Sequence, residues 1–141
     1  MRFIIAIFLL VFPVQVLAQD GVLISCGHSE GHGYFFRDNF LNPEGPGWEE
    51  DRIGNGKISL IRLGEEWDIG FDDTIGGSSY RKDGATVIPL AITERFVMVS
   101  AILIGSYADI YTFDLQDRIV VWSSQKVGTL IPKVATLVAK C

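Results

Sequence analysis

The chain has 141 residues, of which 48% are hydrophobic and 21% charged, and a formal net charge of -5. That composition can bury one core and is not that of a disordered chain, while the length leaves little room for two domains. The acidic balance, with Lys and Arg scattered singly, provides no basic patch of the kind a nucleic acid or an anionic membrane requires.

In chain order, the first predicted element is a secretory signal peptide over residues 1–18. Arg2 gives a basic start, residues 3–12 an apolar stretch, and Val16-Leu17-Ala18 a small-residue exit, with cleavage expected after Ala18. Losing Arg2 takes the net charge from -5 to -6. The apolar run falls short of the ~20 residues a membrane-crossing helix needs, and it contains Pro13 and Gln15, so no transmembrane segment is expected in the mature chain. The predicted location is periplasmic or secreted. A lipoprotein anchored at Cys26 is the alternative, because Leu23-Ile24-Ser25-Cys26 has the residue types of a lipidation site, although Gln19-Asp20-Gly21 separates it from the apolar run.

Residues 19–56 read as an irregular, Gly-rich segment of the domain, with only 33–36 suited to a short strand. From residue 57 to 141 the punctuation is that of an antiparallel meander. Eight candidate strands, at 57–63, 67–72, 78–81, 85–92, 95–104, 107–114, 118–124 and 133–140, are separated by turn signals such as Gly64-Glu65, Gly76-Gly77 and Asp83-Gly84. Asp83-Gly84 is expected to close a type I′ hairpin. Trp67, Ile69 and Phe71 alternate with Asp68, Gly70 and Asp72, the two-residue period of a strand with one wet face. Residues 96–104 are apolar on both parities except at Ser100, which predicts the most buried strand. Pro89 consigns its strand to an edge or a bulge. Any helix should be short and fall within 44–52 or 125–130.

Cys26 and Cys141 are the only cysteines. In an oxidising compartment they are expected to form one disulfide, which would hold the two ends of the mature chain together. The predicted fold is therefore all-β, a single small domain closed or partly closed into a barrel, with a two-sheet sandwich as the alternative.

Cys26, His28 and His32 are candidate metal ligands, since thiol and imidazole groups suit zinc or copper and the intervening glycines let the backbone wrap an ion. The disulfide competes for Cys26, and no fourth ligand stands at regular spacing. The acidic groups at 49–51 and 72–73, and Asp109 and Asp114, read as turn or strand-edge carboxylates. No serine lies in a nucleophile elbow, and Gly54-Asn55-Gly56-Lys57 lacks the phosphate-loop spacing. No catalytic residue and no cofactor is expected.

The aromatic residues Trp48, Trp67 and Trp122, with Tyr34, Tyr80, Tyr107 and Tyr111, point more to binding than the polar groups do. Trp67 and Trp122 read as core, whereas Trp48 and Tyr34 form a candidate binding surface within 27–48. The expected function is a non-enzymatic binding or interaction module for an unidentified protein or small ligand. A small-ligand carrier with a barrel cavity is the alternative, and a metal-dependent hydrolase using His28 and His32 ranks third.

Overall fold

The computed structural model describes residues 20–73 and 76–141, so the predicted signal peptide and its cleavage after Ala18 lie outside the described residues. Among the latter there are eleven strands and no helix: β1 (Gly21–Cys26), β2 (Ser29–Phe35), β3 (Gly47–Ile53), β4 (Lys57–Leu63), β5 (Glu66–Asp73), β6 (Gly76–Ser79), β7 (Thr86–Ile92), β8 (Phe96–Leu103), β9 (Tyr107–Asp114), β10 (Ile119–Lys126) and β11 (Lys133–Lys140). They form a four-stranded sheet in the order β1-β4-β5-β6 and a seven-stranded sheet in the order β3-β2-β11-β10-β9-β8-β7. All pairings are antiparallel. No helix among the described residues is long and apolar enough to cross a membrane.

The inner faces of the two sheets make one core. Ile24, Ile58, Leu60, Trp67 and Ile69 come from the smaller sheet. Val97, Val99, Phe113, Val120, Trp122 and Leu137 come from the larger. Neither sheet closes on itself, so the architecture is the sandwich rather than the closed or partly closed barrel. The chain itself prevents closure, since it passes from one sheet to the other at 27–28, 54–56 and 80–85 and thereby divides the strands into two layers.

The meander is present as β7 through β11 and, in the smaller sheet, as β4 through β6. Residues 19–56, however, are not irregular, because they supply β1, β2 and β3, and the helix considered within 44–52 is part of strand β3. Glycine was the misleading signal. At Gly31 a Cβ would overlap the carbonyl oxygen of Thr136, so the residue permits close approach of β2 to β11 rather than marking a turn. The ion pair between Lys133 and Asp51 spans β2, and the Lys133 ammonium lies 5.2 Å from the centre of the Phe35 ring.

One further expectation is corrected. Asp83-Gly84 lies in the crossover from β6 to β7 and closes no hairpin. Only Gly84 has a positive φ there, +92°, and the loop is tied by Ala85 N–H donating to Tyr80 C=O at 2.9 Å. β8 has four buried positions, Val97, Val99, Ser100 and Ala101, the most of any strand in the larger sheet and as expected of it, while Phe96 and Ile102 stay exposed. Pro89 stands as expected, on edge strand β7 beside a register shift at Pro89/Ala91. The other edge of that sheet, β3, carries the charged run Glu49-Glu50-Asp51-Arg52, which discourages pairing with another chain.

The Cys26–Cys141 disulfide is formed, with 115 residues of sequence separation, and is consistent with an oxidising compartment. Gly27 N–H donates to Lys140 C=O at 2.9 Å beside it, so residues 26–27 and 140–141 meet at the first crossover.

At the β9–β10 turn, Arg95 donates to both carboxylate oxygens of Asp114 at 2.6–3.1 Å and to Asp117 at 2.8 Å. Asp114 also accepts the N–H groups of Gln116 and Asp117. These bonds, Arg95's foremost, hold the Asp114 carboxyl at about 2, below its ordinary 3.8. Folding therefore favours the charged form, and the contribution is complete above pH ~4 and is lost as pH falls toward 2. Arg95→Ala should move the Asp114 midpoint up toward its ordinary value in a carboxyl-carbon NMR titration. An unmoved midpoint would contradict this assignment.

Candidate functional site

β9 determines the chemistry between the sheets. Its sequence alternates so that Tyr107, Asp109, Tyr111 and Phe113 share the inner parity while Ala108, Ile110 and Thr112 face out. Asp109 is 2% exposed and lies in the middle of the strand, so its reading as a turn or edge carboxylate is corrected, whereas Asp114 does end the strand.

Opposite β9, the crossover at 80–85 places Tyr80 in the core. Its neighbour Arg81 fixes that segment by donating through Nε to the Trp67 carbonyl at 2.7 Å in one sheet and through a terminal nitrogen to the Val87 carbonyl at 2.9 Å in the other. The Tyr80 hydroxyl donates to Asp109 Oδ2 at 2.6 Å and lies 2.5 Å from the Tyr111 hydroxyl. Because the single Tyr80 proton is engaged by the carboxylate, Tyr111 is the donor in the second bond. Burial, then the charges of its neighbours, pushes the Tyr80 phenol far above the ordinary range, and burial followed by Asp109 does the same to Tyr111. Both remain protonated donors at neutral pH.

Rings continue from this network on both sides. Phe71 meets Tyr80 edge-on at 5.3 Å, Tyr107 meets it at 5.6 Å, and Trp122 stacks on Tyr111 at 5.5 Å and 17°. They wall a cavity of about 310 Å³ between the sheets. Ile53 and Ile58 complete its apolar side, and Ser29, Lys57, Asp72, Asp83 and Lys126 also line it. Its size and its mixture of aromatic walls with polar groups are those of a small-molecule site. Two buried polar atoms, Asp109 Oδ1 and Ser124 Oγ, have no hydrogen-bond partner among the described residues. They belong to residues directly opposed across β9 and β10.

The other candidate residues lie elsewhere. Cys26 is consumed by the disulfide and cannot be a thiolate ligand in this form. His32 is exposed on β2, and His28 is exposed just before it, with Nδ1 3.4 Å from the Gly54 carbonyl oxygen. Four residues of extended chain span about 13 Å, too far for both imidazoles to reach one ion. No group of three or more potential metal ligands occurs among the described residues.

Tyr34 and Trp48 do come together, as a directly opposed pair on β2 and β3 with rings 5.5 Å apart, and Trp48 is 69% exposed. Their pair sits on the outer face of the larger sheet, away from the cavity. Among the aromatic residues singled out in the sequence, Tyr80, Tyr107, Tyr111 and Trp122 converge on the cavity, and Trp67 is core, 5% exposed, under the Arg62 guanidinium. Asp109 was missed, although its shared parity with Tyr107, Tyr111 and Phe113 was visible in the sequence.

Compared with protein-family models, with curated proteins and with solved structures, the chain matches none of them.

Proposed function

We propose that this chain is a non-enzymatic, exported binding protein that holds a small organic ligand between its two sheets. The cavity of about 310 Å³, walled by Phe71, Tyr80, Tyr107, Tyr111 and Trp122, is the observation that supports this reading. From the sequence alone an interaction surface ranks ahead of a carrier; the convergence of these rings reverses that order. The oxidised cysteine pair supports export.

The reading is tested by titrating the protein with 2-phenylethanol, a neutral aromatic alcohol, and following amide and indole NMR shifts. Saturable shifts are expected at the Trp122 indole and along 107–111. Shifts confined to Tyr34 and Trp48, or none that saturate, would refute the cavity as the site. The first of those results would favour the second reading, an interaction module docking through the exposed pair of Tyr34 and Trp48, which Phe36 flanks at 5.5 Å.

A further inference from the structure

We infer that the ligand is an organic cation, its ammonium group held by Asp109 and its hydrocarbon part by the surrounding rings, an assignment that rests on the cavity reading above. The Asp109 carboxylate is 2% exposed, yet only one of its oxygens is satisfied by the protein. Oδ2 accepts the Tyr80 hydroxyl, while Oδ1 is buried with no partner among the described residues, and Asp109 itself lines the cavity. A buried carboxylate is costly unless its charge is matched and its remaining lone pairs are filled, and a single neutral hydroxyl does neither. An ammonium group entering the cavity beside Asp109 supplies the matching charge.

The surroundings favour the same sign of charge. Three carboxylates, Asp72, Asp83 and Asp109, line the cavity against two ammonium groups, Lys57 and Lys126, and neither lysine forms an ion pair with Asp109. Lys57 stands directly across the β4–β5 pair from Asp72, so those two rim charges offset each other. Asp83 and Asp109 then face Lys126 alone. The Tyr107 phenol registers the result, being raised above its ordinary pKa by burial and then by the charges of Asp109 and Asp83. The rings of Tyr107, Tyr111 and Trp122 border the cavity, and aromatic π-systems attract a cation whose water has been stripped away. An alcohol beside Asp109 supplies no matching charge, and a carboxylate ligand would be repelled.

Three probes of one shape separate these possibilities: phenethylamine, 2-phenylethanol and phenylacetate, each titrated into the oxidised protein with affinity read from the Trp122 indole and 107–111 amide shifts. Phenethylamine is expected to bind at least tenfold tighter than the alcohol, with phenylacetate weakest. Asp109→Asn should bring the amine down to the level of the alcohol measured on the same variant. The ranking on the unaltered protein stands whether or not that variant folds. Equal or weaker binding of the amine at these same resonances would overturn the cation assignment while leaving the cavity as a site. Absence of cavity shifts with all three probes would overturn both.

Discussion

The Cys26→Ser, Cys141→Ser double variant is expected to lose about 2–5 kcal/mol of stability, the usual cost of removing a native disulfide from a small domain. The bridge joins residues 115 apart, and in the chain-entropy account closing a loop of about 100 residues is worth about 4.7 kcal/mol, a large part of the ~5–15 kcal/mol that a domain has. Its location adds a structural reason. Cys26 is 1% exposed at the end of β1, and β1 pairs only with β4, so the bond fastens an edge strand of the smaller sheet to the terminus of β11 in the larger. Urea unfolding with and without reductant would measure it. A large fall in midpoint on reduction, matched by the double variant, is the expected outcome, and coincident curves would show that the sandwich holds without the bond.

Phe113→Ala is expected to cost about 3–5 kcal/mol. Phe113 is fully buried on β9, with Val97 and Val120 directly opposed on either side and Tyr111 stacked 6.2 Å away. Deleting the ring leaves a hole that three β-strands cannot collapse to fill without disturbing Tyr111, which stacks in turn on Trp122 at the cavity wall. Val121→Ala makes the control, because that side chain is 42% exposed on the outer face of β10 and its loss should stay within about 0.5 kcal/mol. Equal losses from the two variants would mean that the assignment of inner and outer faces is wrong.

How far the sequence could be read depended on what kind of signal each residue carries. Alternation is a local property, so Trp67, Ile69 and Phe71 announced a strand with a buried side, and Pro89 announced an edge. The glycines of 27–33 gave no such guidance. Gly31 is required by the backbone of Thr136, a neighbour more than 100 positions away, and nothing near it in the chain distinguishes that need from a turn. Asp83-Gly84 misled for a related reason, since its dihedral preference is local but the choice between a hairpin and a crossover is made by which sheet the next strand joins. The cavity was legible in its parts and not in its assembly: Tyr80, Tyr107, Tyr111 and Trp122 were visible as aromatic residues of a binding kind, but their convergence depends on the crossover that brings Tyr80 over β9. The split between barrel and sandwich likewise turned on three crossovers that carry no signature of their own.

The joining of Cys26 to Cys141 has a mechanical consequence. Tension applied between Gly21 and Cys141 passes along the six residues of β1 and directly through the sulfur atoms, so the remaining ten strands carry none of it. Because β1 is already extended, at about 3.3 Å per residue, the oxidised protein should behave under force as a stiff link roughly 20 Å long. In single-molecule stretching the long unfolding extension of the chain should be seen only after the bond is reduced.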